Sequence, residues 1–247
     1  MTLHIIGIGL NNEKDITLKG LELVQKADFI YLESYTSKLN CSNHDLAKFY
    51  NKQIILAHRE MAEGDNNEII QNAKDHEVAF LVVGDPFSAT THLDLMQRAK
   101  EQGIKVTITN NASILNAVGI TGLQLYKFGK TTSIPYPEEN FHPETSYDVI
   151  KMNQSVGLHT LLLLDIKPDR FMSVNEAIKI LLDIEEKRKE NIFTKETLCI
   201  GCARLGSDNP TIKSGKAEHI LNNDFGEPLH CLIVPGKMHF MEEEAVK

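Results

Sequence analysis

Apolar runs recur along the chain and alternate with polar segments that have helical spacing. Four early runs are apolar almost throughout, which is typical of strands covered on both faces of a parallel sheet. A fifth run, Ile104–Thr109, instead alternates apolar and polar residues and therefore predicts an exposed or edge strand. Strand and helix alternate in this way over the first ~110 residues, which predicts a parallel α/β domain. The four apolar runs are Leu3–Ile8, Phe29–Leu32, Ile54–Ala57 and Ala79–Val83.

The run Ala79–Val83 stops abruptly at the turn Gly84-Asp85-Pro86. Glycine accepts a positive φ, and proline fixes φ and removes a backbone donor, so the strand is predicted to end here. A helix is predicted to follow, with Thr91 as its N-cap, Asp94 three residues later, and Gly103 after its end. This pattern places a carboxylate and backbone N–H groups at the carboxyl edge of a parallel sheet, where such sheets bind ligands.

The second half of the chain predicts further strands and a well-marked helix. Ser173 and Glu176 form a capping box, and the helix that it opens is predicted to reach about Lys189. The acidic residues Glu242–Glu244 are expected to form a frayed helix. A domain boundary is placed near Ala112, giving domains 1–111 and 112–247. The remaining predicted elements are strands at Leu158–Asp165, Thr197–Ala203 and His230–Val234, a loop at Pro135–Pro143, and a short helix at Ser214–Asn222.

Composition narrows the classes of protein that the chain can belong to. A hydrophobic content of 42% with 24% charged residues is ordinary for a globular protein. The net charge of −8 argues weakly against a nucleic-acid partner, because such binding relies on Lys and Arg at phosphates. The N-terminus MTLHIIGIGL lacks a basic segment and is interrupted by glycines, so it is read as a strand and not as a signal peptide. No apolar run reaches the ~20 residues that span a bilayer, and a cytoplasmic protein is expected.

The cysteine pattern invites a metal or redox interpretation at Cys199-x-x-Cys202. The pair lies in a predicted strand, however, where an odd spacing sends the two side chains to opposite faces. No second CxxC or paired histidine accompanies it. Plain buried thiols are therefore the favoured interpretation, and no metal site is predicted.

Each candidate site residue also has a structural interpretation when it is taken alone. Gly7-Ile8-Gly9 is only the first half of a dinucleotide-binding fingerprint, and it could simply end a strand tightly. Asp85 could be an ordinary turn residue, and Ser113 taken alone suits a helix cap better than a ligand contact. His230 opens a predicted strand and could be a structural histidine. Glu33, Tyr35 and Thr36 follow a strand end and could either contact substrate or only shape a loop.

Taken together, the motifs resemble the diphthine synthase family, a group of tetrapyrrole-methylase-like, class III S-adenosylmethionine-dependent methyltransferases. The resemblance covers essentially the whole chain, and the later motifs are more specific than the Gly-Asp-Pro turn. The similar motifs are GIGL (7–10), DITLKGLE (15–22), YTS (35–37), VGDPFSATTH (83–92), NASILNAVGITGLQLYKFGK (111–130), GLHTLLLLDIK (157–167), ARLGSDNPTIKSG (203–215) and GEPLHCLIVPGK (226–237).

The resemblance implies a fold, an activity and a set of contacts. It implies two α/β domains, the first with a mainly parallel sheet and the second with a mixed sheet, with the cofactor in a cleft between them. It implies a homodimer that methylates the amino nitrogen of a modified histidine on translation elongation factor 2, a step of diphthamide biosynthesis. S-adenosylmethionine would be the methyl donor and S-adenosylhomocysteine the product. The positions that match the family's cofactor contacts are Leu10, Asp85, Ser88, Ser113, Ile114, Leu164, Leu205 and His230.

Two departures from the family pattern bear on these expectations. Ser88 stands where the family usually has Val or Gly, a change that a backbone contact tolerates. The chain runs directly from Asp165-Ile166-Lys167 into Pro168-Asp169-Arg170, without the insertion that eukaryotic members carry there. Eukaryotic members also form a methyl ester, so the short connection favours trimethylation alone.

Methyl transfer from a sulfonium is an in-line displacement that needs no metal, since the donor supplies the reactive group. The attacking amine must be unprotonated, and burial beside a positive charge lowers the pKa of an amine. No dedicated general base, and hence no catalytic residue, is therefore predicted. Three alternatives stay open at this point: a related methyltransferase acting on a tetrapyrrole or ribosomal RNA, a nicotinamide-dependent dehydrogenase, and a non-enzymatic binding module.

Overall fold

The computed structural model describes residues 1–64, 67–88 and 92–247, and they divide into two compact units. The first unit consists of Met1–Leu115 with Gly206–Asp208, and the second of Asn116–Leu205 with Asn209–Lys247. The domain boundary placed near residue 112 stays a prediction. The expected N-cap Thr91 lies outside the described residues.

The first unit is built on a parallel sheet with the strand order β3–β2–β4–β1–β5. The apolar runs identified in the sequence do form strands, and the alternating run forms β5 at an edge of the sheet, as predicted. The strands are β1 (Thr2–Gly7), β2 (Phe29–Glu33), β3 (Ile55–Ala57), β4 (Glu77–Val82) and β5 (Lys105–Thr109).

Helices cover both faces of this sheet, which explains why its strands are apolar at successive positions. Phe80 packs in one cluster with Ile69 and Leu95, while the next residue, Leu81, packs in the other cluster with Val24 and Leu46. Helix α2 was not predicted, although its capping box, Ser42 with Asp45, is legible in the sequence. The helices are α1 (Leu18–Lys26), α2 (Asn43–Tyr50), α3 (Arg59–Glu63), α4 (Glu68–Asp75) and α5 (Leu93–Glu101).

The second unit contains a mixed sheet with the strand order β11–β10–β12–β7–β6, in which β6 and β7 run parallel and the other pairs are antiparallel. The mixed sheet confirms the expected fold class. The strands are β6 (Thr132–Ile134), β7 (Thr160–Leu164), β8 (Ile166–Lys167), β9 (Arg170–Phe171), β10 (Leu198–Ala203), β11 (Thr211–Lys216) and β12 (His230–Val234).

The prediction of a helix at Ser214–Asn222 is wrong for its first three residues. Residues 214–216 complete strand β11, where they pair with the first residues of β10, and the helix begins only at Ala217. Pairing with a neighbouring strand overrides local preference here. The capping box of Ser173 and Glu176 is confirmed at the start of α8. The further helices are α6 (Ile114–Ala117), α7 (Thr145–Ser155), α8 (Val174–Arg188), α9 (Ala217–Ile220) and α10 (Phe240–Ala245).

The C-terminal helix α10 is anchored and not frayed. Glu242 is 1% exposed, and it accepts hydrogen bonds from the backbone N–H groups of His239 (2.7 Å) and Gln124 (2.9 Å). Its carboxylate also contacts the Lys127 ammonium and lies 3.0 Å from Nε2 of the buried His159. Burial alone would raise the pKa of Glu242, but these donors outweigh it and lower that pKa to about 2. The expectation of a frayed helix was wrong, because Glu242 is held by Gln124, Lys127 and His159. These residues lie far from Glu242 in the sequence, so no local pattern showed the contacts.

Cys199 and Cys202 are free, buried thiols on β10, as predicted. Cys202 pairs across the ladder with Cys231 on β12, and the contact with that thiol together with burial raises the pKa of Cys202. Over the described part of the chain, no helix is both long enough and apolar enough to cross a membrane.

Candidate functional site at the carboxyl edge of the first sheet

The carboxyl ends of β1, β4 and β5 meet at one edge of the first sheet. Strands β1 and β4 are neighbours, yet their following connections run in opposite directions, from β1 across β4 to β2 and from β4 across β1 to β5. A reversal of this kind marks the point where open α/β sheets bind ligands. The loops that leave this edge contain Leu10, the Gly-Asp-Pro turn and the segment that begins at Asn110.

Two glycines join the loops that follow β1 and β4. The N–H of Gly84 donates to the carbonyl of Gly9 at 2.7 Å, and both residues have positive φ values, +80° and +78°. A Cβ on Gly9 would lie 2.4 Å from the Cβ of Asp15, so a larger residue here would force the two loops to shift. Asp15 in turn accepts hydrogen bonds from the N–H groups of Leu10 (3.2 Å) and Asn11 (2.7 Å). Close packing within the chain therefore accounts for the second glycine of the Gly7-Ile8-Gly9 motif.

Asp85 ties the turn after β4 to the segment after β5. Its Oδ1 accepts hydrogen bonds from the Phe87 N–H (3.0 Å) and the Ser88 hydroxyl (3.2 Å). Its Oδ2 accepts from the side-chain amide of Asn110 (2.9 Å) and the N–H of Asn111 (3.2 Å). Burial raises the pKa of this carboxyl, but the hydrogen bonds outweigh burial and leave the pKa below its usual value. Asp85 is thus an ionised group that holds two loops together.

Asn111 makes the corresponding link to the end of β1. Its side-chain amide donates to the carbonyl of Gly7 at 3.0 Å and to the carbonyl of Asp15 at 2.9 Å. The sequence analysis assigned no such role to Asn110 or Asn111. A pair of asparagines immediately after a strand was the available signal, because a short amide side chain can satisfy the backbone groups of neighbouring loops.

A small space beside Gly84, called the cradle below, is bounded by Leu10 and Ser113, two of the residues predicted to contact the cofactor. A Cβ built on Gly84 would have as its nearest neighbours Leu10 Cδ2 (3.6 Å), the carbonyl oxygen of Ala112 (3.7 Å) and Ser113 Cα (3.9 Å). The lack of a side chain at Gly84 therefore leaves room at the point where the three loops converge. A ligand that packs against the backbone of Gly84 would contact Leu10 and Ser113 at the same time.

The other predicted residues of this unit lie around the same loops. Ser88 belongs to the Asp85 network through its hydroxyl. Ser113 is 6% exposed, and its Oγ accepts a hydrogen bond from the N–H of Leu115 at 3.2 Å, which is a cap-like contact. Ile114 is the first residue of α6. The structure therefore brings five predicted residues together at one edge of the sheet: Leu10, Asp85, Ser88, Ser113 and Ile114. Of these, the side chains of Asp85, Ser88 and Ser113 already make hydrogen bonds within the chain.

The predicted residues of the second unit also share one end of their sheet. Strand β12 is antiparallel to both β7 and β10, so its first residue lies beside the last residues of those strands. His230 begins β12, Leu164 ends β7, and Leu205 follows β10. Leu164 and Leu205 are 9% and 6% exposed, so any contact that they make with a ligand is limited to a small surface or to backbone atoms.

The imidazole of His230 is engaged within its own unit. Its Nδ1 accepts a hydrogen bond from the Val174 N–H at 3.4 Å, and its Nε2 lies 3.1 Å and 3.2 Å from the carbonyls of Gly226 and Glu227. These partners require a neutral ring that carries its proton on Nε2. Burial lowers the pKa of His230, in keeping with a neutral ring. The ring is therefore poorly placed to take a proton from a substrate.

Comparisons with known proteins decide the family. The model of the Tetrapyrrole (Corrin/Porphyrin) Methylases matches residues 2–221. The chain is 51% identical over 248 residues to a diphthine synthase of Methanococcus maripaludis strain C5, with 99% of this chain and 97% of the relative covered. This chain belongs to the diphthine synthase family of tetrapyrrole methylases. It is thereby an S-adenosylmethionine-dependent methyltransferase.

Two further members of the family are informative. A diphthine methyl ester synthase of Dictyostelium discoideum is 49% identical over 263 residues, with 99% of this chain and 96% of the relative covered. That alignment is 16 positions longer than the 247 residues of this chain. A crystal structure of a diphthine synthase matches with a TM-score of 0.92 and 37% identity, covering all of this chain and 94% of that one. The diphthine synthase family thus contains two named activities, and this chain is similar to both.

Proposed function

We propose that the protein is a diphthine synthase, which adds three methyl groups to the amino nitrogen of the modified histidine of translation elongation factor 2. The relatives that are about half identical over nearly the whole chain support this proposal, since they have this activity in their names. We further propose that the enzyme acts in the cytoplasm as a homodimer. Elongation factor 2 would be its protein substrate, with no nucleic acid or membrane involved.

The observation that carries the proposal is the cradle beside Gly84. It is bounded by Leu10 and Ser113, two residues that independently match the family's donor contacts. When bound, S-adenosylmethionine supplies an electrophilic methyl group on a sulfonium. The residues proposed to hold it are Leu10, Asp85, Ser88, Ser113, Ile114, Leu164, Leu205 and His230.

Asp85 has a more specific role in this proposal than a direct contact alone. Its carboxylate fixes the turn at Phe87 and the segment at Asn111, so it sets the positions of the backbone around the cradle. Holding a nucleophile and a methyl group near ~3 Å and in line can contribute roughly 7–11 kcal/mol to lowering the barrier. The chain would therefore act mainly by positioning.

We propose that proton removal from the acceptor amine needs no dedicated base. His230, a matched contact residue, has its ring nitrogens hydrogen-bonded to its own unit. Asp85 is ionised but accepts hydrogen bonds on both oxygens from the chain. The amine would lose its proton to solvent as burial lowers its pKa. A log rate-versus-pH profile governed by the substrate amine should then survive replacement of either residue.

Methyl ester formation is the alternative activity. The Dictyostelium ester synthase aligns with gaps in this chain, whereas the Methanococcus diphthine synthase aligns almost without them. Strand β7 here passes directly into the short hairpin of β8 and β9, where Ile166 pairs with Phe171. The short connection favours N-methylation without esterification.

The deciding experiment is mass spectrometry of elongation factor 2 that has the modified but unmethylated histidine, after incubation with the protein and isotopically labelled S-adenosylmethionine. We expect a gain of three methyl groups that withstands mild alkaline hydrolysis. A fourth group, lost in alkali, would indicate the ester synthase instead. No gain at all, with active donor and folded enzyme, would overturn the proposal.

A matched pair of glycine variants tests the donor site by itself. Gly84→Ala would place a methyl group in the cradle, whereas Gly103→Ala introduces the same change at a similar φ (+74°) with no atom within 4 Å. Calorimetric titration with S-adenosylhomocysteine should show at least tenfold weaker binding for Gly84→Ala and unchanged binding for Gly103→Ala. Equal affinities for the two variants would contradict a donor site at Gly84.

A further inference from the structure

The loop that follows β2 is held in a fixed conformation by a buried carboxylate. Glu33 is 1% exposed, and its Oε1 accepts hydrogen bonds from the N–H groups of Tyr35 (2.8 Å) and Thr36 (2.5 Å). Its Oε2 accepts from the Thr36 hydroxyl at 2.9 Å. Because backbone and side-chain donors converge on one carboxylate, the direction in which the Tyr35 ring leaves the loop is constrained.

This loop leaves the sheet beside the Gly-Asp-Pro turn. Strands β2 and β4 are parallel neighbours in which Leu32 pairs with Leu81, so the residues after Glu33 emerge next to those that lead into Gly84. The ring centroid of Tyr35 lies 6.4 Å from that of His92, which precedes α5 on the far side of the turn. Nδ1 of His92 lies 3.2 Å from the carbonyl oxygen of Pro86, so one residue separates the Tyr35 ring from the Gly-Asp-Pro turn of the proposed donor site.

The face of the Tyr35 ring already accepts a cation. The guanidinium carbon of Arg59 lies 5.4 Å from the ring centroid, within the range of a cation–π contact. Arg59 is an exposed residue at the start of α3, whereas Tyr35 is half-buried. A contact of this kind at an exposed position is weak, so another cation could replace the guanidinium on the ring.

The proposed reaction produces a quaternary ammonium ion, which has no N–H group and so cannot donate a hydrogen bond. In each transfer the amine lone pair forms the new N–C bond, while the C–S bond breaks and its electron pair stays on sulfur. The first two products must lose an N–H proton to solvent before the nitrogen can attack again. After the third transfer the nitrogen has four carbon substituents, a permanent charge and no proton. Aromatic faces are the protein groups suited to such quaternary ammonium ions.

We propose that the face of Tyr35 binds the methylated ammonium of the acceptor beside the donor site, and that Arg59 competes with the ammonium for that face. This inference rests on the proposed function and adds a residue that favours the later transfers. Glu33 acts as a positioning residue, because it fixes the loop that contains the ring.

Three single variants test the inference. Tyr35→Phe keeps the aromatic face, Tyr35→Leu keeps an apolar side chain without it, and Arg59→Gln removes the competing charge. We expect the ratio of trimethylated to dimethylated product, measured by mass spectrometry at equal early times, to fall about tenfold in Tyr35→Leu. It should stay near the wild-type value in Tyr35→Phe and should be equal or higher in Arg59→Gln. Affinity for S-adenosylhomocysteine should be unchanged in all three.

A binding measurement gives a second readout that needs no catalysis. Tetramethylammonium chloride is the probe, and the ring resonances of Tyr35 report on it in an NMR titration. The resonances should shift at lower probe concentration in Arg59→Gln than in the wild type. A wild-type product distribution in Tyr35→Leu, or a loss in Tyr35→Phe equal to that in Tyr35→Leu, would overturn the inference. If Tyr35→Leu fails to fold, a response to the probe in Arg59→Gln that is equal to or weaker than that of the wild type overturns it instead.

Failure of the proposed function would look different. In that case the wild-type protein would add no methyl group to elongation factor 2. If only the present inference fails, the wild-type protein and Tyr35→Leu both complete the trimethylation, and the donor still binds.

Discussion

Replacing Asp85 by asparagine is the most informative single perturbation of this protein. The change keeps the shape of the side chain but replaces one acceptor oxygen by an NH₂ donor. Whichever way the new amide turns, its NH₂ group faces the backbone N–H of either Phe87 or Asn111, both of which donate to Asp85 in the wild type. Two hydrogen-bond donors then face each other at residue 85, which is only 8% exposed in the wild type.

The expected cost follows from these contacts. A hydrogen bond to a charged group contributes about 1.5–3 kcal/mol, and an unsatisfied buried N–H costs about 1–3 kcal/mol. Because Ser88 can rotate its hydroxyl and Asn110 can turn its amide, one unsatisfied backbone donor is the minimum loss. We therefore expect Asp85→Asn to lower the free energy of unfolding by about 3 kcal/mol, which corresponds to a Tm lower by roughly 6–12 °C.

The pH dependence of this effect has a definite sign. The folded-state pKa of Asp85 is lowered, so its contribution to stability is fully present above the unfolded-state pKa near ~3.9. The contribution is lost as the pH falls through the lower folded-state pKa. The difference in stability between wild type and Asp85→Asn should therefore be constant at neutral pH and should shrink below about pH 4.

The assay combines thermal unfolding with calorimetric titration of S-adenosylhomocysteine. Asp94→Asn is the matched control, because Asp94 is 59% exposed and makes a surface ion pair with Arg98 four residues later. Such a pair contributes only about 0.3–0.5 kcal/mol. Asp85→Asn should lower both the Tm and the ligand affinity, with the fold retained. If its Tm and affinity equal those of Asp94→Asn, Asp85 does not organise the site and the reasoning is refuted.

Three further predictions follow from other parts of the chain. Gly9→Ala should destabilise the protein by at least ~2 kcal/mol more than Gly103→Ala in thermal unfolding, because overpacking adds to a similar backbone strain; equal losses would show that the close contact at Gly9 relaxes freely. Glu242→Gln should cost about 3–5 kcal/mol and increase hydrogen exchange in α10, since it breaks a buried ionic cluster, whereas the exposed Glu243→Gln should change neither. Cys202 should resist iodoacetamide in the native protein at pH 8 and react after unfolding, because burial and its thiol neighbour raise its pKa; native alkylation seen by mass spectrometry would contradict this.

Local sequence patterns were sufficient to predict the strands of the first unit and some turns and helix caps of both units. The run containing Phe80 and Leu81 could be read as a buried strand because helices cover both faces, so that neither face needs polar residues. The turn at Gly84 and the capping box at Ser173 were legible because each depends on the backbone preferences of a few adjacent residues. The motifs of the full chain also indicated the family that the comparisons show.

The candidate site could be predicted only as a set of residues. The sequence analysis matched Leu10 and Ser113 to donor contacts by motif, but it could not show that both border the space beside Gly84. Nor could it show that the Asp85 carboxylate is already engaged by Asn110 and Asn111, some 25 residues later. The meeting of these loops depends on which strands are neighbours in the sheet.

Tertiary structure alone decided the features whose partners are distant in the chain. Ser214 forms part of a strand because β10 is beside it, and Glu242 is a buried anchor because Lys127 and His159 lie within reach of it. Periodicity, turn chemistry and helix caps are properties of neighbouring residues, so the sequence by itself determined the strands of the first sheet, their approximate ends and the family. Strand order and register bring distant residues together, and only the folded chain determines which carboxylate meets which donor.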